Sequence, residues 1–281
     1  MNTKIIIDSS TNINPKIKDD IIIVPLTVRF GNNEYIDGIT LSNKEFYEKL
    51  IESDVIPTTS QATPANYAEI FEKIQKNGDS AVVITISAKL SGTYQSAAIA
   101  AKDYDNIFVV DSNSASIGAG ILTELAVNLA KQNMDAKEIA EKITSERNNI
   151  YIVAMLDTLE YMKRGGRISK IAAFAGSILN IKPVICLENG EISVLGKARG
   201  SKQGNNLLIT EIEKSGGIDF SKPVLLGYTG LDDYLLKKYI FDSESLWKGN
   251  IENLSISEVG SIIGTHAGPG AIAAAFYKKQ K

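Results

Sequence analysis

Ala81-Val82-Val83-Ile84-Thr85-Ile86-Ser87-Ala88-Lys89-Leu90-Ser91-Gly92-Thr93-Tyr94-Gln95-Ser96-Ala97 reads as a strand, a polar turn and the opening of a helix. Residues 81–86 carry no alternation of polar and apolar side chains, which marks a strand buried on both faces. Residues 93–102 are alanine-rich and helical. The same unit recurs on either side. Residues 4–7 form a short apolar run ending in Asp8-Ser9-Ser10-Thr11-Asn12, and residues 107–110 form another ending in Asp111-Ser112-Asn113-Ser114. Residues 21–30 read as one long β-branched strand stopped by Gly31. Helices are expected over 43–52, where Phe46, Leu50 and Ile51 share a face, and over 64–76, where Pro64 fits the first turn and Tyr67, Ile70, Phe71 and Ile74 share a face. Further helices are expected over 117–132 and 135–147. Strands alternating with helices imply a mostly parallel sheet with helices on both faces.

The second half reads differently. Residues 150–156 form a strand, and 159–180 are helical but interrupted at Gly165-Gly166. Residues 182–187 and 191–195 flank Glu188-Asn189-Gly190, and Asn-Gly is the signal of a tight hairpin. A helix over 201–214, a strand over 223–228, a helix over 232–243 and a strand over 251–259 follow. A hairpin mixed with crossovers implies a smaller, mixed-sheet α/β domain. The expectation is therefore two α/β domains, 1–149 and 150–281, with a boundary near Asn148-Asn149 and a ligand between them.

Composition narrows the function classes. The 281 residues are 44% hydrophobic, enough for a sizeable core, and the net charge is −3 with no basic stripe, which argues against nucleic acid. The first residues enter a strand at once and no run of 18 apolar residues occurs, so the expectation is a soluble, cytoplasmic protein without stable membrane insertion. One cysteine, Cys186, and one histidine, His266, exclude an internal disulfide and disfavour a zinc site; no metal and no cofactor are expected. Val184, Ile185 and Leu187 around Cys186 suggest a buried strand position, with a catalytic thiol as the alternative. Lysine outnumbers arginine 25 to 5, yet Arg164, Arg167 and Arg199 fall close together, either as ordinary surface charge or as a surface that meets an anion or a partner.

Candidate chemistry lies in the turns. In an open parallel sheet, ligands bind beyond the carboxyl ends of the strands. The turns at Asp8-Ser9, Ser87 to Tyr94 and Asp111-Ser112 occupy such ends, and Pro57-Thr58-Thr59-Ser60-Gln61 adds a fourth hydroxyl-rich turn. Ser91-Gly92-Thr93 also opens a helix, whose free N–H groups and positive dipole end favour an anion; each hydroxyl here could equally be a plain helix cap. His266 lies in Gly264-Thr265-His266-Ala267-Gly268-Pro269-Gly270, read as a glycine-rich turn in which an imidazole either meets a ligand or is satisfied internally. No Walker-type loop and no GxGxxG follows the first strand. A hydrolase triad could be drawn from Ser91, His266 and Asp8 or Asp111, but no GxSxG elbow surrounds Ser91.

Six motifs together resemble the DegV family, fatty-acid-binding proteins of bacteria. They are Asp8-Ser9-Ser10, Thr58-Thr59-Ser60-Gln61, Leu90 to Ala97 with Asp111-Ser112, Leu159-Glu160-Tyr161-Met162-Lys163-Arg164-Gly165-Gly166-Arg167-Ile168, Leu179-Asn180-Ile181-Lys182-Pro183, and the segment around His266. They occur in the family's order over essentially the whole chain. The resemblance implies a long-chain fatty acid held in a tunnel between two domains. Its carboxylate would meet Thr59 or Ser60, Ser91, the Gly92 N–H and His266. It also implies a carrier that is not an enzyme alone, serving as the acyl-carrying subunit of a fatty acid kinase. The partner kinase subunit would make acyl phosphate for phospholipid synthesis, and Arg167 would lie near the tunnel opening and the kinase-facing surface. Ile171, Ala173, Phe174 and Ile178 are candidate tunnel lining or, equally, ordinary core. Two other readings remain open: an acyl hydrolase using Ser91 and His266, and a sensor of phosphate or a sugar phosphate.

Overall fold

In the computed structural model the described residues are 2–167, 181–247 and 249–279. The tunnel candidates Ile171, Ala173, Phe174 and Ile178 lie outside them. The chain opens with β1 (Thr3–Asp8), β2 (Ile21–Val24), β3 (Thr27–Phe30) and β4 (Asn33–Ile36), followed by α1 (Asn43–Glu52), β5 (Thr58–Ser60) and α2 (Pro64–Lys76). β6 (Ser80–Thr85), α3 (Thr93–Ala100), β7 (Ile107–Asp111), α4 (Ser116–Lys131) and α5 (Ala136–Glu146) complete the first half. β8 (Ile150–Met155), α6 (Glu160–Arg164), β9 (Ile181–Glu188), β10 (Glu191–Arg199) and α7 (Gly200–Lys214) begin the second. β11 (Leu225–Tyr228), α8 (Tyr234–Asp242), α9 (Glu244–Trp247), β12 (Ser255–Glu258), α10 (Ser261–Ala267) and β13 (Ile272–Tyr277) end it.

The protein has a two-domain α/β architecture. Its first sheet, in the order β2-β1-β6-β7, is wholly parallel. Alternate side chains of its strands enter different cores: Ile5, Ile7, Val82 and Ile84 pack with α4 and α5, while Ile6 and Val83 pack with α2 on the other face. Helices therefore cover both faces, as the buried reading of residues 81–86 requires. The second sheet, β10-β9-β8-β13-β11-β12, is antiparallel except for the β11–β12 pair. Tyr151, Val153 and Met155 point from β8 to an outer core with α7 and Trp247; Ile150 and Ile152 point inward to α4. The β9–β10 hairpin turns at Asn189 and Gly190, both at positive φ (51° and 76°), the conformation of the Asn-Gly turn read from sequence.

Several readings from sequence change, among them the strand expected over 251–259, which is confined to β12 after a helical turn at Ile251–Asn253. The run 21–30 is not one strand: β2 joins the parallel sheet, while β3 lies in a separate antiparallel sheet, β4-β3-β5. Pro25 stands at the break, and its missing N–H cannot serve a ladder that continues straight on. The hydroxyl-rich turn at 58–60 is likewise a strand, β5, paired with β3. No helix among the described residues is long and apolar enough to cross a membrane.

α4 joins the two sheets. It packs on β1 and β6 of the first and on β8, β11 and β13 of the second. The contact is close because α4 carries Gly118 and Gly120. A Cβ on Gly118 would lie 2.5 Å from Ile152 Cδ1, and one on Gly120 would lie 2.0 Å from the backbone oxygen of Asn12. The second cannot be relieved by turning a side chain. Gly120→Ala is therefore expected to lower unfolding free energy by about 3 kcal/mol, the upper part of the usual cost of overpacking. Chemical denaturation would read this, and a loss below the usual ~1 kcal/mol would show that α4 can shift freely between the sheets.

Candidate functional site

Between the inner face of the second sheet and the carboxyl edge of the first lies a cavity of about 430 Å³. That is within the roughly 300–1,000 Å³ of small-molecule sites. Its floor is built from Ile152, Ala154, Ile185 and Ala273, and Ile86, Leu90 and Ile117 face it from the first domain. Ala154 is paired with Ile185 on one side and with Ala273 on the other, and Ala273 with Gly227, so the row of side chains across the sheet becomes small where the cavity needs width. Ser116, at the start of α4, also lines it and holds a positive φ of 50°, fixed by the Ser116 hydroxyl donating to Asn12 Oδ1 at 2.9 Å and the Asn12 N–H donating to the Ser116 carbonyl at 3.2 Å. A non-glycine residue in that region is held there only by such surroundings.

Polar groups gather along part of the wall. Thr59, Ser60, Ser91, Gly92, Arg167 and His266, all singled out from sequence, line this one cavity. Thr59 lies on β5, Ser91 and Gly92 lead into α3, and Arg167 follows α6. His266 is not in a turn, as its glycines suggested, but in the last turn of α10. Gly268, at φ 72°, ends that helix, and Tyr161 lies against it where a side chain would otherwise be. Thr59 Oγ1 and His266 Nε2 are 3.0 Å apart, with the donor set by the tautomer. This contact crosses from the antiparallel β4-β3-β5 sheet to the far end of the chain.

Burial, with the Arg167 guanidinium as the second cause, lowers the pKa of His266 from 6.5 to about 4. The ring is therefore neutral at pH 7 and can give one hydrogen bond and accept one. Its Nδ1 is buried and has no hydrogen-bond partner among the described residues. Gly165 lies against that nitrogen: a Cβ there would be 2.2 Å from Nδ1, so the Gly165-Gly166 interruption of the sequence provides space for the imidazole. Arg167 is the only charged residue on the described wall. Its Nε donates to the Leu90 carbonyl at 3.3 Å and its Nη1 to the Gly165 carbonyl at 2.6 Å, tying the loop after α6 to the turn before α3. Ser91 Oγ lies 2.9 Å from Thr93 Oγ1 and accepts from the Thr93 N–H at 3.3 Å. The helix itself offers its first N–H groups, which lack intrahelical acceptors. The wall thus combines hydroxyls, helix N–H groups, a neutral imidazole and one cation, with no acidic side chain among the described lining residues. Such a set accepts an anion whose remainder is apolar.

Other sequence candidates have different duties. Asp8 is fully buried and accepts from the N–H and hydroxyl of Ser10 and from the Ile86 N–H at 2.8 Å. Asp111 accepts from Asn113 and Ala88 N–H groups at 2.8 and 3.3 Å. Neither lines the cavity, and both hold turns together. Arg164 pairs with Glu160 on the surface, and Arg199 is exposed at the start of α7. Cys186 is buried beside Tyr151, and burial pushes its thiol pKa up, which suits packing and opposes a nucleophile. Gln61 had been quoted only as part of a motif. Its amide closes over Gly92, where a Cβ would fall 2.1 Å from Oε1, and its Nε2 donates to Ser96 Oγ at 3.0 Å. The apolar floor also escaped the sequence, because residues such as Ala154 and Ala273 look like ordinary strand core.

These features define a class: a two-domain α/β protein with an apolar cavity at the domain junction and an anion-accepting wall. The chain belongs to the DegV family; the family described as "Uncharacterised protein, DegV family" matches residues 2–279. A DegV domain-containing protein of Caldanaerobacter subterraneus subsp. tengcongensis is 36% identical over 264 residues, 92% of each chain. A DegV family protein from Thermus thermophilus, described by its fatty acid binding, superposes with a TM-score of 0.87 at 28% identity, covering 99% of this chain and 100% of that one. A stearic acid-binding protein from Eubacterium ventriosum gives 0.83 at 27% identity over 99% of each chain.

The buried imidazole leads to a pH expectation. A ring neutral in the fold at pH values where the unfolded chain would bind a proton costs stability as pH falls. The contribution is whole above 6.5 and is lost as pH falls towards 4. The loss by then amounts to roughly 3 kcal/mol. His266 is the sole histidine, so its ring signals in NMR are unambiguous. They should titrate with a midpoint of about 4; a midpoint of 6.5 or above would mean the ring is solvated or paired with an acid.

Proposed function

We propose that this protein binds one long-chain fatty acid with its tail in the cavity and its carboxylate against Thr59, Ser60, Ser91, the Gly92 N–H and His266. It then presents that carboxylate to a separate kinase subunit for conversion to acyl phosphate. In this reading the domains are 1–149 and 150–281, and the protein is a cytoplasmic carrier with no turnover of its own. The observation that carries the reading is the union, in one 430 Å³ space, of an extended apolar floor and a single polar wall that holds Thr59, Ser60, Ser91, Gly92 and His266 together. Roughly sixteen methylenes leaving water gain about 0.8 kcal/mol each, an upper bound of about 13 kcal/mol before ordering costs. The tail therefore supplies affinity. The head group needs hydrogen bonds because a carboxylate leaving water without them is severely penalised.

The hydrolase alternative lacks support in the geometry. His266 Nδ1 has no carboxylate partner, and Ser91 Oγ is engaged with Thr93. A triad needs its imidazole oriented by an acid and bonded to the nucleophile. A phosphate sensor would leave the apolar floor without a purpose. Protein purified from cells and weighed under native conditions should carry a mass equal to one long-chain acid, about C14–C18 for the roughly sixteen methylenes taken above. A purified protein that carries only phosphate or a sugar phosphate, and refuses long acids, would sink the reading.

Arg167 separates holding the acid from handing it on. Arg167→Ala is expected to keep fatty acid binding while acyl phosphate formation with the kinase falls by roughly 10³-fold, the scale of an arginine that stabilises a transferring phosphoryl group. Loss of binding instead would assign the guanidinium to the head group and to the Leu90–Gly165 tie. Undiminished transfer would remove it from both roles.

A further inference from the structure

α10 comes from the C-terminal part of the chain but rests on the β4-β3-β5 sheet of the N-terminal part. Its two ends are gripped by that sheet. At the first residue, Ser261 Oγ donates to Asp37 Oδ1 at 2.5 Å. In the last turn, His266 Nε2 meets Thr59 Oγ1 at 3.0 Å. Asp37 directly follows β4 and its N–H donates to the Leu26 carbonyl at 3.0 Å; Thr59 lies on β5; β3 pairs with both strands. The sheet is therefore a rigid spacer between the two grips. Between them the helix also packs on α6 and lies close on α1. The Tyr47 hydroxyl donates to the Val259 carbonyl at 2.7 Å, and a Cβ on Gly264 would meet Phe46 and Tyr47 at 2.7 and 2.6 Å.

We infer that Asp37 is a positioning residue of the head-group site, setting the place of His266 through Ser261 and α10. Asp37 does not itself line the cavity. Asp37 is 7% exposed, and the Ser9 side chain beside it offsets part of the rise that burial gives its pKa. Ser9 Oγ in turn accepts from the Leu26 N–H at 3.0 Å. A buried carboxylate that accepts a short hydroxyl hydrogen bond is a strong and directional anchor. Removing it releases the first turn of α10, and the shift of that turn is passed along the short helix to the imidazole. The effect on ligand rests on the head-group reading above, whereas the effect on the ring does not.

The test compares Asp37→Ala, Ser261→Ala and the conservative Asp37→Asn, which keeps an acceptor for Ser261. The ring titration of His266 is followed by NMR in each folded protein, and palmitate affinity by calorimetry. In both alanine variants the ring midpoint should rise from about 4 towards 6.5 as the imidazole leaves its buried place. The palmitate Kd should rise about tenfold, and Asp37→Asn should recover most of both. A purely structural acid would lower the melting temperature without moving the midpoint of the folded ring. A midpoint still at about 4 in a folded alanine variant, or an Asp37→Asn protein as impaired as Asp37→Ala, would overturn the assignment. If Asp37→Ala does not fold, Ser261→Ala decides alone. A midpoint that moves as expected in a protein whose wild type binds no palmitate would sustain the positioning role and discard the fatty acid.

Discussion

The tight seating of α4 between two sheets is the constraint from which the rest follows. Its glycines bring the helix backbone against Asn12 on one side and Ile152 on the other, so the two domains share one continuous apolar core. The cavity is the space left where α4 begins: Ala115, Ser116 and Ile117 are all in its wall. A helix that sat further from either sheet would widen this space and admit water. A wet cavity would lose the transfer free energy that an apolar ligand needs. The left-handed backbone of Ser116, clasped by Asn12, is part of the same arrangement and marks where the helix must start.

The polar wall works against that dryness, and the compromise is visible in its charges. A fully charged wall would be costly to bury. The protein instead uses hydroxyls, helix N–H groups and an imidazole kept neutral by burial, with a single guanidinium that also ties two loops. The neutral ring has one nitrogen bonded to Thr59 and the other left bare against Gly165. Unpartnered buried nitrogens are rare and costly, and this one lies where the glycine interruption after α6 brings the backbone close. The glycine run Gly165-Gly166 thus has a steric purpose at the first glycine, independent of any freedom it lends to the loop.

Much of the fold is legible in the chain. Uninterrupted β-branched and aliphatic runs at 81–86 and 107–110 can only be strands covered on both faces, and the Asn189-Gly190 turn fits its hairpin because few other residues tolerate its dihedral angles. The grouping of site residues followed from the family resemblance, since Thr59 lies on an antiparallel strand and His266 in a helix, and only Ser91 follows the carboxyl end of a parallel strand. Thr59, Ser91 and His266 do line one space. Where the local reading failed, a distant partner decided. Residues 21–30 have the composition of one strand, but the break at Pro25 sends the two halves to different sheets. His266 has the neighbours of a turn residue, yet packing on Phe46 and Tyr47 makes its segment helical up to Gly268.

Local sequence alone determined the alternation of elements, the two-domain α/β class and the chemical types available for a site, because these depend on side chains within a few residues of one another. The tertiary structure decided which groups share a wall, which acid is buried as an anchor and which as a turn lock, and whether the lone histidine carries a charge. Asp8 and Asp37 are the same residue type with no local mark to tell them apart. One ends a strand and binds Ser10 and the Ile86 N–H; the other receives Ser261 from 224 positions along the chain. The ionisation of His266 likewise follows from burial and from Arg167, which only folding brings beside it. Hydrogen bonding and desolvation act over a few ångströms of space, and the order of residues along the chain does not record which distant residues will meet at that range.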